Sequence, residues 1–115
     1  MLDNLSDEKK SVLLAKAMGW KVTALPVGHD DLFIIVPNEY DRNIRSFYSP
    51  ANMSLAWKVL NWATEYERKN NEELVMWWMD VLLCNYPPAD AQRLWLDKIL
   101  ELAIEAGLVE AQDAG

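Results

Sequence analysis

The chain has 115 residues, of which 18 are acidic and 11 are basic, so its formal net charge at pH 7 is −7. This length suits one compact domain and is too short for two ordinary ones. A hydrophobic fraction of 51% excludes disorder and collagen-like repeats. The negative charge argues against a nucleic-acid binder, because phosphate contacts need clustered Lys and Arg side chains. We therefore expect a single domain over residues 1–115, with a neutral or basic partner.

The sequence shows neither a leader nor a membrane-span pattern. Residues 1–10 are polar and charged and lack the apolar core of a signal peptide. The apolar run 74–84 is interrupted by Asp80 and is much shorter than a bilayer span. The single cysteine, Cys84, lies in this run, where a small core residue is expected. These features predict a cytosolic protein without membrane association or internal disulfide.

The first predicted elements are one helix and two strands. Ser6 supplies an N-cap for a helix over residues 6–18, and Gly19 supplies the left-handed residue that ends it. Residues 21–25 and 32–36 are short runs rich in β-branched and apolar residues, which predict an antiparallel pair of strands. Residues 37–49 are interpreted as an ordered loop anchored by Phe47 and Tyr48, and loops of this length are often functional.

Two further helices are predicted in the second half of the chain. One starts at Ser49-Pro50, carries a broad apolar stripe and ends near residue 70. The last helix starts at Pro87 and ends in a Schellman motif at Gly107. Residues 109–115 are expected to fray.

The segment from residue 72 to residue 85 leaves two alternatives open. It is apolar on every side, so periodicity cannot separate a buried helix from a buried strand. The acidic residues at its start favour a helix, whereas Trp77, Trp78 and Val81 favour a strand. Taken together, the elements predict an α+β fold with three long helices packed on a small antiparallel sheet.

No pattern of a catalytic or cofactor site is present in the sequence. His29 and Cys84 lie far apart without a supporting signature, and there is no Gly-rich phosphate loop. The run His29-Asp30-Asp31 offers metal-ligand residue types, but Asp in a hairpin loop ordinarily bonds its own backbone. We expect no enzymatic activity, no cofactor and no metal. A small-molecule site would need polar groups of the 37–49 loop, namely Tyr40, Asp41, Arg42 and Arg45.

Acidic side chains form a row on the last predicted helix. Asp90, Asp97, Glu101 and Glu105 fall within about 80° of one another on a helical wheel, and neighbours at i,i+4 repel. Such a row is either the solvated face of an acidic protein or a docking edge for a basic protein surface. The docking interpretation expects charge reversal at Asp97, Glu101 and Glu105 to abolish binding without unfolding the domain.

The 6 tryptophans include two pairs that cannot share one core face. Trp57 lies about 140° from Trp62 on the predicted helix, and the adjacent Trp77 and Trp78 are also forced apart. One ring of each pair is expected at the surface, packed under a loop or anchoring an interface. The candidates for partner contact are Trp57, Trp77 and Trp78, and self-association through Trp77 or Trp78 is the alternative to electrostatic docking.

Three stretches, Leu14–Trp20, Tyr48–Ala63 and Pro87–Gly107, resemble small proteins of tailed bacteriophages and prophages that are grouped as a phage α/β/α sandwich domain. The resemblance implies a sandwich-like packing of helices on a sheet and a phage origin, and it carries no catalytic residues. Together with the charge it suggests a non-enzymatic phage or prophage protein. Its expected activity is stoichiometric binding of a protein partner in the bacterial cytoplasm, with counter-defence inhibition as the concrete form.

Overall fold

A computed structural model describes residues 4–24, 32–38, 42–70 and 84–110. The elements in chain order are α1 (Asp7–Met18), β1 (Val22–Ala24), β2 (Leu32–Ile35), β3 (Asn43–Ile44), α2 (Met53–Lys69) and α3 (Pro88–Glu105). A 3₁₀ turn at Pro50–Asn52 precedes α2 and accounts for the helix start predicted at Ser49-Pro50. The predicted α+β class, with three long helices and a small antiparallel sheet, is confirmed. Apart from Cys84 and Asn85, the ambiguous 72–85 segment lies outside the described residues.

The ends of α1 are those that its sequence predicts. The Ser6 hydroxyl accepts a hydrogen bond from the Lys9 amide at 3.2 Å. Gly19 has a φ of 81°, in the left-handed region. This turn lets the Trp20 amide donate to the Ala15 carbonyl at 2.9 Å. The pattern is a Schellman motif, which satisfies carbonyls that the helix leaves unpaired.

The predicted Schellman ending of α3 is also present. Gly107 has a φ of 76°, and the Leu108 amide donates to the Ala103 carbonyl at 3.0 Å. Val109 follows and is only 5% exposed. Its side chain packs into the core, and the fraying expected for residues 109–115 stays a prediction. Residues 111–115 lie outside the described part.

The sheet contains one strand more than the sequence predicts. β2 is central, with Val22 of β1 opposite Ile34 on one side and Ile44 of β3 on the other, and both pairings are antiparallel. β3 lies in the segment interpreted as a loop, and that interpretation is wrong at its two positions. So short a strand leaves no alternation to detect. Ile34 and Ile44 are buried, whereas Ile35 on the opposite face is 37% exposed.

α1 is the central element of the core. Residues 10–15, which cover its whole circumference, are all buried. The helix packs against β1 and β2 and also against α2 and α3. α2 and α3 pack on each other in turn, so one core joins all layers.

Cys84 is exposed, so its expected place in the core is wrong. It stands at the very end of the apolar run, followed by the exposed residues Asn85 and Tyr86.

Among the helices of the described ranges, none has the length and apolar character needed to cross a membrane.

The conformation of Gly19 gives a first testable prediction. A Cβ atom at this position would meet no atom within 4 Å, so the cost of Gly19→Ala arises from the left-handed backbone alone. We expect this substitution to lower the free energy of unfolding by about 1 kcal/mol. Gly19→Asn should lose less, because asparagine tolerates this region. Urea unfolding followed by tryptophan fluorescence measures both, and an unchanged Gly19→Ala midpoint would contradict the assignment.

Candidate partner-binding surface

The acidic row of α3 divides into three exposed residues and one that faces inward. Asp90, Glu101 and Glu105 are exposed, and within the described residues they form no hydrogen bond or ion pair. The Asp97 side chain is only 28% exposed and pairs with Lys10 Nζ at 3.1 Å. We therefore remove Asp97 from the docking surface. Reversing its charge would place two cations in contact and disturb the fold, contrary to the expectation from sequence.

Tyr48 binds the same carboxylate from the loop before α2. Its hydroxyl donates to Asp97 Oδ1 at 2.7 Å, and the residue is 4% exposed. Burial, followed by the hydrogen bond to Asp97, raises the pKa of Tyr48 well above its ordinary value. The phenol therefore keeps its proton and remains a donor to Asp97. The sequence predicts Tyr48 only as an apolar anchor, and its polar role comes from the structure.

A second ion pair, between Arg93 and Asp7, also lies beside the Tyr48 ring. Arg93 donates to both carboxylate oxygens of Asp7, each at 2.7 Å. The hydrogen bond from this guanidinium lowers the pKa of Asp7, and the same bond raises the pKa of Arg93. Arg93 Cζ lies 5.2 Å and Lys10 Nζ 5.4 Å from the centroid of the Tyr48 ring, within cation–π range. The two acids and two bases around the ring compensate one another.

Side chains of α1 and α3 also hold the backbone of this loop. The Ser11 hydroxyl accepts a hydrogen bond from the Phe47 amide at 2.9 Å. Gln92, which is fully buried, donates to the Phe47 carbonyl at 2.7 Å. The Ser46 hydroxyl accepts from the Tyr48 amide at 2.9 Å. These three bonds fix the backbone of the loop. We call the residues that hold the loop in this way, together with Lys10 and Asp97, the loop-anchoring cluster.

Two members of this cluster carry a signal that the sequence interpretation missed. Ser11 precedes the buried Leu14 and Ala15 by three and four positions, and Gln92 precedes the buried Leu96 by four. Both polar residues therefore lie on an apolar helix face. A polar side chain at such a position indicates a buried hydrogen bond.

The exposed tryptophan of α2 packs on a buried one of α3. Trp57 is 38% exposed, and its ring centroid lies 5.4 Å from that of Trp95, which is 2% exposed. Trp62 is half-buried, so Trp57 is the more exposed of the two tryptophans on α2. Trp77 and Trp78 lie outside the described residues.

A cleft of about 260 Å³ opens between the second halves of α2 and α3. We call it the α2–α3 cleft. One wall carries Trp62 and Tyr66, whose rings stack with centroids 5.9 Å apart. Glu105 belongs to the opposite wall, so the exposed part of the acidic row leads into the cleft. The remaining lining residues are Ala63, Glu67, Asn70, Ile99, Leu102, Ala103, Ala106 and Leu108.

The loop residues and metal-ligand types singled out in the sequence are only partly among the described residues. The described residues contain no group of three or more His, Cys, Asp or Glu side chains placed to hold an ion. Tyr40, Asp41 and the run His29-Asp30-Asp31 lie outside them. Arg45 stands over the Phe33 ring, with Cζ 5.9 Å from the centroid. The α2–α3 cleft contains neither Arg42 nor Arg45, so the small-molecule site considered from the loop is not the cleft seen here.

No protein-family profile, curated protein or solved structure matches this chain. The resemblance to the phage domain stays a prediction that depends on the three stretches of sequence.

The hydroxyl of Tyr48 gives a second testable prediction. Tyr48→Phe removes the hydrogen bond to Asp97 and leaves the ring in place, so we expect a loss of about 1–2 kcal/mol in the free energy of unfolding. Tyr86→Phe is the control, because Tyr86 is 48% exposed and should lose almost nothing. Urea unfolding of both variants measures this difference in stability. Equal unfolding midpoints for Tyr48→Phe and Tyr86→Phe would contradict a stabilising hydrogen bond.

The ion pair of Asp7 predicts a dependence of stability on pH. Because the folded-state pKa of Asp7 is lowered, its contribution is complete above the unfolded value of about 3.9 and is lost as pH falls through the folded value. We expect Asp7→Asn to cost about 0.5–1 kcal/mol at pH 7, since the pair is partly solvent-screened. The difference from wild type should shrink as pH falls through the lowered folded-state pKa of Asp7. Glu8→Gln, in the same helical turn, controls for general charge at the helix start, and a difference that persists at low pH would contradict the assignment.

Proposed function

We propose that this chain is a non-enzymatic protein that acts by stoichiometric binding of a protein partner with a basic surface. The observation that carries the proposal is the exposure of Asp90, Glu101 and Glu105 on α3, none of which forms a hydrogen bond or ion pair with another described residue. With a net charge of −7, their field is reinforced by the rest of the chain. Complementary charge raises the association rate and selects partners of opposite sign.

In its concrete form the proposal is a phage or prophage protein made in the bacterial cytoplasm. The resemblance of three stretches to phage proteins supports this origin, and the acidic surface supports the mode of action. A basic surface that otherwise holds nucleic acid is a suitable target, because carboxylates can occupy the positions of phosphates. Counter-defence inhibition is the form of binding that we favour.

A second candidate function follows from the exposure of Trp57. An exposed tryptophan backed by a second ring is a typical interface anchor, and it favours a self-associating accessory protein. Sedimentation at low and high salt separates the two candidates, because an apolar dimer persists when electrostatic docking is screened.

The acidic row gives the test of the favoured function. The tagged protein is used to capture partners from lysates of uninfected and phage-infected bacteria, and the retained protein is purified for affinity measurements. Glu101→Gln/Glu105→Gln should weaken binding roughly tenfold at low salt, because two exposed charge contacts are lost. The salt dependence of the affinity should also become less steep.

The matched control is Glu8→Gln/Glu65→Gln, which removes the same number of negative charges from other exposed positions. Glu8 lies on α1, and Glu65 forms an exposed pair with Arg68 on α2. The control should bind as the wild type does. If both double variants lose the same affinity for the partner, the partner responds to net charge alone. If Glu101→Gln/Glu105→Gln binds the partner as tightly as the wild type does, the proposal is overturned.

A further inference from the structure

The α2–α3 cleft has an aromatic wall that is suited to a flat cation. The rings of Trp62 and Tyr66 lie one helical turn apart, with an interplanar angle of 28°. Both residues are half-buried, so they remain accessible from the cleft. The negative face of an aromatic ring attracts cations, and a planar guanidinium stacks on it more fully than an ammonium does.

The electrostatic character of the cleft has the matching sign. Glu105 is exposed on the wall opposite the rings, and the described residues that line the cleft include no Lys or Arg. α2 and α3 both end at the cleft, where their carbonyl groups add partial negative charge. Glu67 also lines it but is only 5% exposed, so Glu105 is the carboxylate available for pairing.

The size of the cleft limits what it can hold. Its volume of about 260 Å³ is below that of ordinary cofactor or drug-sized sites. One long side chain is the fitting occupant. Glu101 lies one helical turn before Glu105 on α3. When a partner docks along the acidic row and one of its side chains contacts Glu101, the neighbouring side chain of the partner would therefore reach the cleft.

We infer that the α2–α3 cleft receives an arginine side chain of the basic partner. Its guanidinium packs against the free ring surface of the stacked Trp62–Tyr66 pair and pairs with the Glu105 carboxylate. This inference rests on the proposed function, because the partner supplies the arginine. It adds to general charge attraction a specific preference for arginine over lysine and over neutral side chains.

Amide NMR titrations with small probes test the inference on the whole chain. Acetyl-arginine amide should shift the Trp62 indole N–H signal, which Trp62→Phe identifies by its loss. Acetyl-citrulline amide has nearly the same shape without the charge and should bind roughly fivefold more weakly or not at all. Glu105→Gln should weaken arginine binding roughly threefold, whereas Glu65→Gln, an equal charge change elsewhere on the surface, should leave it unchanged.

Each other outcome has a definite meaning. Equal shifts with citrulline would overturn the charged component, and stronger shifts with acetyl-leucine amide would make the occupant an apolar side chain. Acetyl-lysine amide binding as well as the arginine probe would overturn the preference for a guanidinium. Absence of shifts with every probe would overturn the cleft as a binding site, while a captured partner that needs the acidic row would still uphold the proposed function. If the arginine probe binds but no partner is captured, the cleft is upheld as an arginine site and the proposed function is overturned.

Discussion

The carboxylate of Asp97 is the point at which α1, α3 and the loop before α2 are joined. It accepts the Tyr48 hydroxyl and pairs with Lys10, and both contacts use the same oxygen. A partly buried charge is costly unless it is paired and hydrogen-bonded. Asp97 meets both conditions, so the position of each of the three segments depends on the other two. Ser11 and Gln92 reinforce the same junction by fixing the loop backbone.

This junction also explains why one helix carries acids with opposite roles. Asp97 lies on α3 where the helix faces α1, and its carboxylate holds the fold. Glu101 and Glu105 lie one and two helical turns later, out of reach of α1, and are exposed. The charge of Asp97 is thus compensated near the middle of α3, and the exposed carboxylates of Glu101 and Glu105 follow it towards the C-terminal end. The α2–α3 cleft opens in the second half of α3, so its aromatic wall and the exposed carboxylates form one surface.

The parts of the fold with strong local signals could be predicted from the sequence. Ser6, Gly19 and Gly107 define helix ends through local backbone chemistry, and all three act as predicted. β3 could not be predicted because two residues have no periodicity. The exposure of Cys84 could not be predicted because the hydrophobicity of its neighbours in the sequence does not fix the burial of one residue. In the acidic row, the helical wheel correctly groups four acids on one face. Only tertiary contacts separate Asp97 from the rest, since Lys10 and Tyr48 are remote in sequence.

Lys10 and Asp97 are separated by 87 positions in the sequence. This separation affects how the protein folds while it is synthesised on the ribosome. Synthesis proceeds at about 5–20 residues per second, so the α1 segment exists for several seconds before its α3 partner is made. During that time, of the described elements that cover α1, only the strands and α2 have been made. Folding must therefore finish after most of the chain has been translated. Until then, the nascent chain avoids aggregation by collapsing around α1 or by binding chaperones.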